Sequence, residues 1–204
     1  MDYWLKVAIE IQSLAQSGLA YTNNVYDIER YERLREISAE IIANKTDLSL
    51  EKVKDLFCNE KGYQTPKLDK RAAIFKDDKI LLVHENNDTW ALPGGWVDVL
   101  ESIKSNVVKE VKEETGLEVE ATKVIAIEDR NKHNKPIYAY GVCKVFVLCE
   151  LIGGSFKENI ETTEIKYFSI NELPKNLAIE KTNEEQIKMC FAAYKDKNWK
   201  TYFD

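Results

Sequence analysis

Histidine is scarce in this chain, with only His84 and His133 among 204 residues, and the four cysteines fall in no CxxC pair. That scarcity removes the usual zinc ligand sets, which draw imidazole and thiolate groups at short fixed spacings. Cys58, Cys143, Cys149 and Cys190 have no histidine beside them, and Cys143 and Cys149 fall on the same face of one predicted strand. They read as packed, reduced thiols rather than a redox pair. No apolar run approaches the length of a membrane span, and the opening Met1-Asp2-Tyr3-Trp4-Leu5-Lys6 lacks a signal peptide's basic start and apolar core. A cytoplasmic location without a membrane partner is therefore expected. A surplus of basic charge is also missing, since 29 Lys and Arg face 35 Asp and Glu for a net charge of -6. Residues 1 to 66 carry 8 basic and 11 acidic side chains against 21 and 24 in the remainder, so no basic region is hidden by the total. Phosphate backbones are bound chiefly through excess Lys and Arg, which argues against nucleic acid as a bulk partner.

What is present is a hydrophobic content of 44% and a charged content of 31%, in a chain long enough for one large core or two unequal domains. Residues 1 to 62 read as a helical N-terminal domain. Its helices are Tyr3 to Ser17, ended by Gly18; Tyr26 to Ala43, with Ile28, Tyr31, Leu34, Ile37 and Ile41 on one side; and Leu50 to Phe57, introduced by Ser49. Lys61-Gly62-Tyr63-Gln64-Thr65-Pro66 is the linker, and residues 67 to 204 form a second domain. There Arg71 to Lys76, Asp77-Asp78 and Lys79 to His84 spell a hairpin. Later strands are expected over Glu118 to Asp129, over Tyr138 to Ile152 before Gly153-Gly154, and over Lys166 to Ile170. Ser169 to Leu173 is a candidate turn of helix, and Asn183 to Tyr194 a closing helix. Strands before and after a central helix suggest an α+β domain with a mixed sheet between helices.

That central helix carries the informative pattern. Ser102 to Thr115 contains no Gly or Pro, and Ile103, Val107, Val108 and Val111 recur at helical intervals before Gly116 ends the run. Glu110 and Glu114 are four residues apart and share a face, with Glu113 beside them. Glu114 falls nearly above Ile103 and Val107, at the edge of the apolar stripe, so the acids face the protein body. Clustered carboxylates half inside a protein need raised pKa values or a compensating cation. With oxygen ligands only, a hard ion such as Mg²⁺ or Mn²⁺ is favoured.

The whole segment GWVDVLESIKSNVVKEVKEETGL, from Gly95 to Leu117, resembles the signature of the Nudix hydrolases. That pattern is Gly, five residues, Glu, seven residues, Arg-Glu, an aliphatic, any residue, Glu-Glu, any residue, Gly and an aliphatic. Gly95, Glu101, Glu110, Val111, Glu113, Glu114, Gly116 and Leu117 match it, while Lys109 stands where the family has arginine. Ala91-Leu92-Pro93-Gly94-Gly95-Trp96 is similar to the family's usual approach. The resemblance covers roughly residues 67 to 195 and implies an alpha-beta-alpha sandwich. It also implies metal-dependent cleavage of the pyrophosphate in a small-molecule nucleotide, a nucleoside diphosphate linked to another moiety. In the front piece, Ser17-Gly18-Leu19-Ala20-Tyr21 followed by Tyr26-Asp27-Ile28-Glu29-Arg30-Tyr31 resembles a bacterial subgroup that includes CDP-choline pyrophosphatase. This similarity implies a homodimer and makes CDP-choline, split to CMP and phosphocholine, the first expected substrate. ADP-ribose is the alternative.

On this reading Glu110, Glu113 and Glu114 hold the metal together with the carbonyl of Gly95, whose missing side chain lets the backbone approach. Glu101 and Lys109 form a supporting ion pair. The water-activating base of the family comes from the signature or from a loop before a late strand, where Glu161 and Glu164 lie. Arg71 is a candidate for a substrate phosphate, and Trp96 and Tyr140 for stacking on the base. A nucleotide-sensing module of the same fold is a reading from another class. Such a module would be expected to lose metal ligands, whereas every signature glutamate is present here.

Overall fold

The computed structural model describes residues 2–46, 48–58 and 60–204, so Met1 of the N-terminal hexapeptide lies outside it. The chain divides into two compact units, Met1–Pro66 with Ile137–Gly141, and Lys67–Pro136 with Val142–Asp204.

The first unit contains α1 (Tyr3–Tyr21), α2 (Val25–Lys45) and α3 (Leu50–Phe57). Asp2, Asn24 and Ser49 cap their N-termini by accepting main-chain hydrogen bonds. Helix α1 runs past Gly18, the residue expected to end it. The glycine serves packing instead: a Cβ at Gly18 would lie 2.4 Å from the ring of Tyr31. The buried face of α2 also differs from the expected stripe, because Ser38, Ala39 and Ile42 point inward and Leu34 is exposed. Small residues set this contact. Ala8, Ala15 and Ala39 are fully buried, and the Ser38 hydroxyl donates to the carbonyl of Ala8 at 2.6 Å. Ile41 packs at the edge of this core as expected, and it also lines a shallow groove with Ile37 and Trp4.

The second unit is built on β1 (Lys67–Lys76), β2 (Lys79–Glu85), β3 (Trp90–Ala91), β4 (Leu117–Asp129), β5 (Val142–Gly154), β6 (Thr162–Phe168) and β7 (Tyr202–Phe203). The sheet order is β3-β2-β1-β5-β4-β7, with β6 paired to β2. β1 and β5 are parallel, while β4 with β5, and β2 with β1, β3 and β6, are antiparallel. Asp77 and Asp78 adopt φ of 50° and 56°, the left-handed geometry of a tight hairpin. On one face α4 (Ile103–Thr115) buries Val107 and Val111 against Ala72, Ile74, Val145 and Val147. On the other α6 (Glu184–Lys195) buries Ile187, Cys190 and Phe191 against Ala73, Ile80 and Phe146. The result is a sandwich of helix, mixed sheet and helix.

Several boundaries depart from the sequence pattern. β5 begins at Val142, not Tyr138; Ile137–Gly141 groups with the helical unit, where Ala139 packs against the cluster that contains Ala8 and Ala39. Gly153 and Gly154 pair with Glu118 and Leu117 inside β5 rather than following it. Ser169 to Leu173 makes a single turn, closed by the Glu172 amide on the Ser169 carbonyl at 3.1 Å, and Pro174 prevents its continuation. A short helix, α5 (Arg130–His133), was not legible in the sequence. Among the described residues, no helix is long and apolar enough to cross a membrane.

Candidate active site

Two devices fix α4 at its ends. Ser102 and Ser105 form a reciprocal capping box, and Gly116 takes φ of 72° at the C-cap, where a side chain would meet the Ser155 carbonyl at 2.4 Å. The loop leading into the helix is pinned along β1. The amides of Ala72 and Lys70 donate to the carbonyls of Pro93 and Gly95 at 2.8 and 2.9 Å, and the Val97 amide to Leu68 at 3.0 Å. Backbone space requires the first loop glycine, while the second leaves room for a carboxylate. A Cβ on Gly94, at φ of 134°, would lie 2.1 Å from the Lys70 carbonyl, and one on Gly95 would lie 2.7 Å from Oε1 of Glu110.

Between α4, this loop and the segment before β6 lies a cavity of about 440 Å³ lined by Asp98, Lys109, Glu110, Glu113, Glu114, Asn159, Ile160 and Glu161. Five carboxylates and one lysine make it strongly acidic. Glu114 points inward, and its Oε2 accepts the Gly94 amide at 2.9 Å. Burial pushes its carboxyl up to about 7, against the lowering influence of the nearby Arg71 guanidinium and the Gly94 amide. Glu110 is also drawn inward, its Oε2 2.9 Å from the Lys70 ammonium. Glu113 faces solvent, 58% exposed, with Oε1 3.7 Å from Lys109. The expected three-carboxylate cluster is thus not drawn together: among the described residues, no three acidic, histidine or cysteine side chains converge at metal-holding range. The donor set still fits a hard divalent ion, because all its ligating groups are oxygens and the partly buried Glu114 accepts its hydrogen bond from a neutral amide, not from a cation.

The remaining predicted residues separate. Lys109 pairs with Asp98 at 2.6 Å, and Glu101 exerts only a weaker through-space pull on it. The expected Glu101 pair is corrected for a local reason. Asn106, one helical turn before Lys109, donates to Asp98 at 3.1 Å and holds that carboxylate over the lysine. Each partner favours the charged form of the other, raising the pKa of Lys109 and lowering that of Asp98. Glu161 reaches the cavity, whereas Glu164 lies on β6 opposite His84 and does not line it. Arg71 is buried and holds Asp69 in a bidentate pair at 3.2 and 3.0 Å and the Leu92 carbonyl at 3.2 Å, so its donors are engaged within the fold rather than offered to a phosphate. Trp96 is half exposed on the pinned loop. Tyr140 belongs to the Ile137–Gly141 segment of the helical unit, its ring tilted against Tyr138.

Sequence reasoning missed three contributors. Asp98 had no signal beyond lying inside the signature's first gap. Asn159 joins α4 to the late loop. Its side-chain amide donates to the carbonyls of Glu113 and Glu114 at 3.2 and 2.8 Å, and its oxygen accepts the amides of Glu161 and Thr162 at 2.9 Å. Lys70 could have been found, because strand alternation puts it on the same face as the buried Ala72 and Ile74.

Comparison with known proteins adds two family matches. Residues 67–190 match the NUDIX domain, and residues 2–57 match a domain described as UDP-X-like, N-terminal oligomerisation. The putative ADP-ribose pyrophosphatase YjhB of Bacillus subtilis is 40% identical over 202 residues, covering 98% of this chain and 97% of that protein. The crystal structure of a UDP-X diphosphatase is 33% identical with a TM-score of 0.65 and covers 98% of both chains. That of an ADP-ribose pyrophosphatase from Streptococcus suis is 54% identical with a TM-score of 0.64, covering 69% of this chain and 100% of that one.

Proposed function

The chain belongs to the Nudix hydrolase family, and from that premise we propose that it cleaves the diphosphate of a nucleoside diphosphate-linked moiety, with ADP-ribose as its foremost substrate. The observation that carries the reading is the acidic cavity on α4, where Glu110 and Glu114 turn inward beside the Gly95 loop. Glu110, Glu114 and the Gly95 carbonyl would hold the divalent ion, Mg²⁺ or Mn²⁺, with Glu113 able to join from the rim. When bound, the ion polarises phosphorus and offsets the charge of the diphosphate. Glu161, which lines the cavity on the loop tethered by Asn159, would take the proton of the attacking water. Water oxygen joins one phosphorus and the bridging oxygen leaves on the other, giving from ADP-ribose AMP and ribose 5-phosphate.

CDP-choline, the first expectation from the front helices, loses its place. The matching front-domain description is UDP-X-like, and the full-length relative is named for ADP-ribose. A UDP-linked substrate is the second reading, favoured by the UDP-X diphosphatase that aligns over both units. The persistence of the inward carboxylates argues against a silent sensor. A panel of ADP-ribose, UDP-sugars and CDP-choline with Mg²⁺ or Mn²⁺, products identified by mass, decides among them. We expect kcat/KM for ADP-ribose to exceed that for CDP-choline at least about tenfold. Preference for CDP-choline would overturn the assignment.

A further inference from the structure

Lys70 is unusual in its placement. Its neighbours on the same face of β1, Ala72 and Ile74, lie in the apolar layer beneath α4, and its own side chain is completely buried. A lysine there would lose its hydration without compensation. The compensation comes from the site. Nζ lies 2.9 Å from Oε2 of Glu110 and 2.8 Å from the Trp96 carbonyl, while the main-chain amide of the same residue donates to the Gly95 carbonyl at 2.9 Å. One residue therefore grips both the carboxylate and the carbonyl assigned to the metal. The second oxygen of Glu110 is held against the loop, since Oε1 occupies the space 2.7 Å from where a Gly95 side chain would begin.

We propose that Lys70 is a resident counter-cation and a positioning residue: it presents Glu110 to a divalent ion through Oε1 alone and weakens the binding of that ion in the substrate-free enzyme. The proposal rests on the reading that the cavity holds such an ion. With Oε2 engaged by the ammonium, Glu110 acts as a one-oxygen ligand. Two cations sharing one carboxylate repel each other, and because Lys70 is fully buried that repulsion is poorly screened, enough to change affinity about tenfold or more. Removing the ammonium would leave the inward carboxylate of Glu110 without its paired charge.

Calorimetric titration of Mn²⁺ into the substrate-free full chain tests this. Lys70→Met should bind Mn²⁺ at least about tenfold more tightly than the wild type, and Lys70→Arg, which keeps the charge, should stay within about threefold of it. The metal-free Lys70→Met protein should melt earlier, with the deficit closing when Mn²⁺ is added. A buried lysine with a merely structural role would lower the melting temperature and leave Mn²⁺ affinity unchanged or weaker, and that result overturns the proposal alone. Failure of the wild type to take up Mn²⁺ removes the metal reading and this proposal with it. Should Lys70→Met not fold, the wild type decides by ¹⁵N NMR of its lysine ammonium groups. A slowly exchanging resonance that shifts on Mg²⁺ addition is expected, and no protected ammonium, or one indifferent to Mg²⁺, overturns the idea.

Discussion

The main-chain amide of Gly94 donates to Oε2 of Glu114 at 2.9 Å, tying the approach loop to a partly buried acid of the helix. This contact aims Glu114 at the Gly95 side of the cavity, and it does so with a neutral donor that leaves the carboxylate's charge for an ion. Glu114→Gln keeps the shape and an acceptor but removes that charge. Turnover should fall at least about a hundredfold while the fold persists. Steady-state kinetics with circular dichroism checks this, and near-normal turnover, or full activity in EDTA, would sink the metal assignment.

Stability should depend on pH through the same group. Burial raises the Glu114 carboxyl from 4.5 to about 7, so between those pH values the folded state holds a proton that the unfolded chain has released. Without metal, stability therefore falls as pH rises through that window, by up to about 3 kcal/mol at about 1.4 kcal/mol per unit. Urea unfolding in EDTA at pH 5 and pH 8 should show wild type losing stability relative to Glu114→Gln, with the variant the more stable at pH 8. Parallel behaviour of the two proteins refutes the shift.

Gly94 has the least room of the glycines. At φ of 134°, with the Lys70 carbonyl 2.1 Å from any added Cβ, Gly94→Ala must push the loop off β1 and carry its amide away from Glu114. We expect a loss of about 2 kcal/mol or more in unfolding free energy and weaker Mn²⁺ binding. Unchanged melting and metal affinity would show that the loop tolerates a second register.

Lys109 tests which acid supports the helix. Lys109→Ala and Asp98→Asn should each lower kcat several-fold with little change in melting temperature, because the pair is solvent-exposed. Lys109→Arg should be tolerated. Glu101→Gln should do less than either loss variant, and if it proves the most damaging substitution the Asp98 pairing is not the functional one.

The sequence was most informative where spacing alone decides geometry. Val107 and Val111 had to turn inward together, which brought Glu114 with them, and Gly116 had to end α4 because only a residue tolerant of φ of 72° fits against Ser155. It was least informative where partners come from distant segments. Nothing local to Arg71 reveals that the Leu92 carbonyl takes one of its donors, or that Asn159 spans from the late loop to the end of α4, whereas the other partner of Arg71, Asp69, lies two residues away on the same strand. Gly18 misled for a similar reason, since its role lies in the Tyr31 ring across the helix pair and not in its own helix. Tyr138 and Tyr140 read as strand by composition, yet the Ile137–Gly141 segment is claimed by the helical unit.

The last prediction concerns association. The helical unit buries mostly small side chains between α1 and α2, and it leaves Tyr3, Trp4, Tyr21 and Tyr26 at 69%, 51%, 78% and 70% exposure. Trp4, Ile37 and Ile41 line an open groove of about 290 Å³ whose rim is Glu40, Asn44 and Lys45, an apolar floor with polar edges like the core and rim of protein interfaces. A three-helix piece of this size gains stability by covering such a face, and its family match is described as an oligomerisation domain. We therefore expect the full chain to be a homodimer in light scattering. Trp4→Glu, which places a charge in the groove without touching the buried alanines, should shift the equilibrium towards monomer and leave the circular dichroism spectrum intact. A monomeric wild type ends the proposal, and a variant that remains fully dimeric moves the interface away from this groove.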